Sequence, residues 1–354
     1  MTTSVLSSAP SNIALIKYMG KRPVQNGISA NTPTNASLSY TLESLRTYVS
    51  LNVVAGETSD RWTAMSKQDV SVPGAAHFSN LELSEKAVQK FLKHLSFLKS
   101  EFQITAAFEV KSANTFPSDA GLASSASSFA ALTKCFFEWM QIHAPLKLEQ
   151  KRKQLETDLT LVDWMSSMSR LGSGSSCRSF YTPWSVWDES GAHDFASVYQ
   201  KLDHLALVVS AEKKDVSSSQ AHVMVLESPL FAGRIERAQN RMDRLSELLQ
   251  QNSAEAWRET YQVCWDEFLD MHELFHTCPR PFRYMTQMSD HALTHIEKMW
   301  LSLGDGPLVT MDAGPNIHFL FRPDQMQLKK TYLKELSQYG FFIDSTSVAT
   351  GMGL

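Results

Sequence analysis

The stretch Phe116–Leu132, FPSDAGLASSASSFAAL, constrains this chain more than any other. A proline turn leads to a single glycine, and five serines and five alanines crowd the point where a helix should begin. Side chains this small let a backbone approach something closely. A helix N-terminus also offers unpaired N–H groups and the positive end of a dipole. Gly121 permits the turn, and Ser124 and Ser125 fall in the first helical turn, placed to hold phosphate oxygens or Mg²⁺. The pattern is not a Walker A loop, because the lone Gly-Lys pair, Gly20-Lys21, is followed by Arg22 and lacks the upstream glycine. No G-x-S-x-G nucleophile elbow occurs here either. Taken alone, the stretch is explained equally well as a helix whose small face packs on a sheet.

Charge narrows what the site can bind. With 33 basic and 37 acidic residues and a net charge of -4, the chain lacks the basic excess of a nucleic-acid binder. An anionic ligand must therefore be met by a few placed cations. Cys135, Cys177, Cys264 and Cys278 form no C-x-x-C pair and read as free thiols of a reducing compartment. The N-terminal residues show no secretory pattern, and no apolar run approaches the ~18 residues of a membrane span. The expectation is a soluble cytoplasmic protein that binds small molecules, neither nucleic acid nor membrane.

Periodicity supplies the elements. NIALIKYM and the stretch Asn35–Val54 read as strands, the second with Leu38, Tyr40 and Leu42 alternating against polar neighbours. Val88, Phe91, Leu92, Leu95 and Leu98 are spaced for a helix, and Thr105–Val110 reads as a short strand. A helix over Leu122–Met140 should turn Phe129, Phe136, Phe137 and Met140 inward. Lys147–Asp158 is a charged surface segment, and TLVDWMSSMSRL is a helix ending at Gly172. Beyond the strand Leu205–Val209, helices are expected over about Pro229–Gln251, Ala254–Met271 and Gln325–Gln338. LVTMDAGPNIHFLF gives two strands around a glycine turn, and GFFID the last strand. Strands and helices mix without strict alternation, which argues an α+β fold in two lobes, residues 1–190 and 191–354.

Two further stretches favour an anion site. In NIALIKYMGKR, Lys17 follows the apolar run Ala14-Leu15-Ile16, which draws it inward, and Tyr18, Lys21 and Arg22 follow closely. In RLGSGSSCRS, Gly172 and Gly174 bracket Ser173, with Ser175, Ser176 and Arg178 beyond, and arginine suits bidentate binding of phosphate or carboxylate. The alternatives are a strand end with solvated lysines, the usual case for such charges, and a flexible turn; the apolar run before Lys17, and a turn that leads into Arg178 and a strand, argue against them.

Together APSNIALIKYMGKR, PTNASLSYTL, NTFPSDAGLASSAS, SRLGSGSSCRSFY, KKDVSSS and MDAGPN resemble, in order and rough spacing, the diphosphomevalonate decarboxylases of the GHMP kinase superfamily. The resemblance runs from Ala9 to Asn316. It implies the two-lobed GHMP kinase fold, with an N-terminal ATP-binding lobe like domain 2 of ribosomal protein S5 and a ferredoxin-like C-terminal lobe. It also implies ATP and Mg²⁺, a homodimer, and a reaction of the mevalonate pathway of isoprenoid biosynthesis. In that reaction the 3-hydroxyl of mevalonate 5-diphosphate is phosphorylated, and loss of phosphate and CO₂ gives isopentenyl diphosphate. By resemblance Asp312 and Lys17 are catalytic. Tyr18, Met19, Gly20, Lys21, Lys86, Ser173, Gly174, Ser175, Ser176, Cys177, Arg178 and Ser219 are assigned to substrate. Asn114, Pro117, Ser118, Gly121, Leu122, Ala123, Ser124 and Ser125 are assigned to ATP, the last two also to the metal.

The chain departs from the family pattern in four places. Met19 stands where tryptophan is usual, Asp119 where alanine is usual, and Lys86 where an arginine is expected; the usual Gly-Met after the serine loop reads Ala221-His222. Relatives that use the monophosphate, or phosphorylate the 3-hydroxyl without decarboxylation, are the alternatives. HELFH at His272–His276 raises a separate zinc-peptidase reading, with His291 or His295 as a third ligand. A nucleotide binder without catalysis is a third, but it has no need of a base at Asp312.

Overall fold

A computed structural model describes residues 4–22, 31–69, 78, 81–117, 122, 124–155, 159–212 and 214–345. The first lobe is built on the strands β1 (Val5–Ile16), β2 (Ser37–Val53), β3 (Arg61–Ala64), β4 (Phe108–Asn114), β5 (Trp184–Asp188) and β6 (Gly191–Asp194). They form one sheet in the order β3-β4-β2-β5-β6, with β1 antiparallel to the long β2. Helices α1 (Glu85–Glu101), α2 (Ser124–His143), α3 (Pro145–Lys153) and α4 (Leu161–Gly172) complete the lobe. α2 buries Phe129, Phe136, Phe137 and Met140, the residues its periodicity turned inward. They share a core with Val49 and Leu51 of β2, Phe91 and Leu95 of α1, and Trp164 of α4.

The second lobe runs β7 (Asp203–Val208), α5 (Ser218–Met224), α6 (Arg234–Leu248), α7 (Ala254–Thr277), α8 (Gln287–Leu303), β8 (Leu308–Met311), β9 (Ile317–Phe321), α9 (Met326–Leu336) and β10 (Phe341–Asp344). Its four strands lie in the order β10-β7-β9-β8, each pair antiparallel. Relative to chain order this is 4-1-3-2, the arrangement of a ferredoxin-like unit.

Three expectations shift. β5 and β6 pair as a hairpin, Ser185 opposite Asp194, so the first sheet runs past residue 190 and the lobes meet after β6. The charged segment after Lys147 is partly helical: α3 starts with Pro145 in its first turn and buries no residue, so it lacks the apolar stripe by which periodicity finds a helix. GSGSSCRSF, read as a turn leading into a strand, is a 3-10 helix over Gly174–Phe180.

The lobes are stitched at the seam. Tyr40 Oη accepts the Leu202 N–H at 2.7 Å, and Trp184 Nε1 donates to the Tyr199 carbonyl at 2.7 Å. One apolar core holds Ile13, Leu15 and Trp184 of the first lobe together with Leu205, Trp257, Phe268 and Met311 of the second.

Candidate active site

Strand β1 is the spine of the site. Ser11 Oγ donates to the Leu122 carbonyl at 2.6 Å, tying the serine-rich helix start to the strand. Asn12 Nδ2 donates to the Ser175 carbonyl at 3.2 Å and to Ser179 Oγ at 2.8 Å, tying down the GSGSS turn. Just past the strand, Lys17 Nζ donates to the Ala14 carbonyl at 2.6 Å and to Asp312 Oδ1 at 2.8 Å. Asp312 follows β8 in a tight turn closed by the Gly314 N–H on its own carbonyl at 2.7 Å. Lys17 is 2% exposed while the Asp312 side chain is 31% exposed. The lysine is thus a buried support, and the carboxylate faces the opening.

Burial alone would raise the pKa of Asp312; Lys17, His318 and Arg178 outweigh it and hold the carboxyl below its ordinary value. Burial lowers Lys17 in turn, and the Asp312 carboxylate works against that shift. The two acceptors on Nζ favour the ammonium.

The carboxylate opens into a cleft of about 620 Å³ between the lobes, a size suited to small ligands. Tyr18, Met19 and Lys21 line it after β1; Ser173, Gly174, Ser175 and Arg178 line it after α4. Leu122, Ser124 and Ser125 line it at the start of α2, and Ser219 in α5. Arg178 is 4% exposed, donates through Nη1 to Ser37 Oγ at 2.6 Å, and lies over the Trp187 ring. Its Nε is buried with no protein acceptor among the described residues. Burial, with Lys90 second, lowers Lys21 to about 8. Both observations describe cations in want of an anion.

Other assigned residues stand elsewhere. Ser176 and Cys177 are buried behind the wall, Ser176 Oγ on the Ser173 carbonyl at 2.7 Å and Cys177 Sγ on the Gly174 carbonyl at 3.1 Å. Gly20 lies beneath the wall at φ 95°, where a Cβ would meet Phe231 at 2.7 Å. Asn114 accepts from Thr47 Oγ1 at 2.7 Å, away from the cleft, and Pro117 does not line it. Lys86 is exposed and off the cleft; Lys90, one helical turn on, lines it instead. Ser118, Asp119, Gly121 and Ala123 lie outside the described residues.

The zinc-peptidase reading fails. His272 is fully buried in α7 with Nε2 on the Asp312 carbonyl at 3.2 Å, and burial lowers it to about 3. His276 pairs with Glu273 instead. No group of three metal-ligating side chains occurs among the described residues.

The model of the diphosphomevalonate decarboxylase-like N-terminal domain matches residues 9–198, and that of the mevalonate 5-diphosphate decarboxylase C-terminal domain matches 204–348. The chain belongs to the diphosphomevalonate decarboxylase family. The diphosphomevalonate decarboxylase mvd1 of Aspergillus fumigatus is 32% identical over 90% of this chain and 78% of its own length. The crystal structure of a mevalonate diphosphate decarboxylase from Legionella pneumophila is 40% identical, with a TM-score of 0.80 over 96% of this chain and 100% of that one. The MDDEF complex with MVAPP, AMPPCP and magnesium shares the fold at 24% identity, with a TM-score of 0.79 over 97% of this chain and 96% of that one. Among the described residues no helix is long and apolar enough to cross a membrane.

Sequence reading missed several residues of this decarboxylase-family site. Lys214 lines the cleft, donates to the Ala313 carbonyl and lies over the Tyr284 ring. Its place in the polar loop SAEKKDVSSS gave no sign of burial. Less legible still is the clamp on Lys17. Glu267 Oε1 accepts the Lys17 N–H at 2.9 Å, and Arg234 Nη2 donates to the Lys17 carbonyl at 3.3 Å. Arg234 and Glu267 are themselves paired and 0% exposed, and Asp270 and Arg241 extend the network. On the sequence they are two charges among many on amphipathic helices. Removing one partner of such a pair strands the other in the interior. Glu267→Ala should therefore cost about 3–5 kcal/mol in urea unfolding and lower turnover by loosening Lys17; a loss under about 1 kcal/mol would show that Glu267 does not clamp it.

Proposed function

We propose that this chain catalyses the ATP-dependent decarboxylation of mevalonate 5-diphosphate to isopentenyl diphosphate, ADP, phosphate and CO₂. The observation that carries the reading is the Asp312 carboxylate, ion-paired from behind by Lys17 and open in front to a cleft whose cations lack anions.

The residues divide the work. Asp312 stands as the base that orients and accepts the proton of the 3-hydroxyl as its oxygen attacks phosphorus. Lys17 keeps Asp312 ionised, so the proton has a place to go at neutral pH. Tyr18, Lys21, Ser173, Ser175, Arg178 and Ser219 hold the diphosphate and carboxylate and fix C3 against Asp312. Ser124 and Ser125 sit in the first turn of α2, where the helix N-terminus favours the triphosphate of ATP. The residues fit Mg²⁺ as hydroxyl donors: a small hard cation shared among phosphate oxygens, water and a serine needs no carboxylate cage. When bound, Mg²⁺ would neutralise charge on the transferring phosphoryl group.

Loss of the 3-phosphate leaves positive charge at C3, and the C–C electron pair of the carboxylate fills it as CO₂ departs. Ala14, Met271 and Ala313 line the cleft around Asp312 with apolar surface. That surface offers no hydroxyl to capture C3. Cytoplasmic residence and a homodimer complete the proposal. Light scattering of the purified protein should give the mass of a dimer, and a monomer's 39.7 kDa would remove that part.

The test is incubation with ATP and each mevalonate phosphate, following ADP and CO₂ together. Asp312→Asn should keep substrate and ATP binding and lower turnover by about 10²–10⁴-fold, whereas near-normal turnover would refute its role. ADP without CO₂ would mark a kinase, and preference for the monophosphate the other branch.

The pH dependence follows from the Asp312–Lys17 pair. A lowered pKa means that Asp312 stays ionised until pH falls below its ordinary 3.8, so it gives no acid limb at working pH. In Lys17→Met, burial loses its strongest opponent and the Asp312 pKa rises. Residual activity should then fall off at higher pH than in the parent; an unmoved limb would break the link between the two residues.

A further inference from the structure

His222 has no part in the reaction set out above, yet it belongs to the cleft wall. It stands in α5 at the departure Ala221-His222, and its side chain is 8% exposed. Nδ1 accepts the Gly20 N–H at 3.1 Å. A ring nitrogen that accepts carries no proton, so the neutral imidazole carries it on Nε2. Burial, then Lys21 and Arg178, lowers its pKa to about 3 and keeps the ring uncharged. The ring rests on Tyr18 with centroids 4.3 Å apart, which fixes its direction. Among the described residues no protein group accepts from Nε2.

Position along the cleft says what Nε2–H meets. Asp312 marks the reacting end of the cleft that Tyr18, Lys21 and His222 also line. His222 is bonded to Gly20, the residue just before Lys21, and its ring lies on Tyr18, so it stands at the Lys21 part of the wall. A substrate with its 3-hydroxyl at Asp312 extends its phosphates towards Lys21.

We propose that His222 is a substrate-positioning residue whose Nε2–H donates to the diphosphate beside Lys21. A neutral donor adds a directed hydrogen bond where a third cation would be repelled by Lys21 and Lys90. The bond to the Gly20 N–H also couples the diphosphate to the backbone three residues beyond Lys17, so a correctly seated phosphate helps to fix the turn that carries Tyr18 and Lys21.

The inference rests on the reaction proposed above, and its test separates the two. Turnover of mevalonate 5-diphosphate by the parent enzyme tests the reaction. His222→Phe keeps a ring on Tyr18 and removes both nitrogens. It should raise the KM for mevalonate 5-diphosphate roughly 10- to 100-fold, the loss of a hydrogen bond to a charged acceptor. The loss should fall on KM rather than kcat, and the KM for ATP should move less than about threefold. His222→Gln returns a donor near Nε2 and should recover most of the affinity. Calorimetric titration with inorganic pyrophosphate reads the same contact without turnover: binding should weaken in His222→Phe and recover in His222→Gln, even if the proposed reaction fails. If His222→Phe does not fold, His222→Met takes its place with the same readouts. An unmoved KM and pyrophosphate affinity would overturn the proposal. So would equal rises in both KM values in the two variants with a lowered unfolding temperature, the mark of a purely structural ring.

Discussion

Lys17 and Asp312 are 295 residues apart in the chain and 2.8 Å apart in space. Each follows the end of a strand, one in each lobe. Lys17 is buried, and an isolated buried charge costs several kcal/mol, so the ammonium is tolerable only opposite the carboxylate. The pair therefore fixes how the end of β1 meets the end of β8. Around it, Glu267 and Arg234 hold the Lys17 backbone from both its N–H and its carbonyl, and His272 holds the Asp312 carbonyl. The ammonium has no freedom to follow a ligand into the cleft. Only the carboxylate, the one partner with exposed surface, is offered to substrate.

The same logic accounts for how the cations of the cleft differ. Arg178 is fixed by Ser37 and Trp187 and keeps one buried N–H unspent. Lys21 leans on Asn31 at 2.9 Å and lines the same cleft as Lys90. Neither has a carboxylate for a partner, in contrast to Lys17. A pocket that neutralised its own cations would have to break those pairs before binding an anion. This one leaves the charge uncompensated and lets the ligand supply it.

Much of this was legible because local rules and tertiary placement agreed. The four apolar residues expected on the inner face of α2 are buried, and the two strands around MDAGPN flank the turn that presents Asp312. Lys17 gave itself away by following three apolar residues. What could not be read was placement that depends on distant partners. Lys90 differs from Lys86 only by one helical turn. Glu267 shares α7 with other acidic residues and is distinguished only by what lies opposite. His272 was misread for a related reason: an H-E-x-x-H spacing records a helix face but not what that face meets, and here it meets the underside of the Asp312 turn. α3 escaped because it has no buried side to leave a period in the sequence.

The continuous core across the seam has a mechanical consequence. Ile13, Leu15 and Trp184 are packed in the same apolar mass as Trp257, Phe268 and Met311, so swinging one half away from the other would expose that mass to water. A swing of the two jaws carries that cost, and a core shared in this way couples the melting of one half to that of the other.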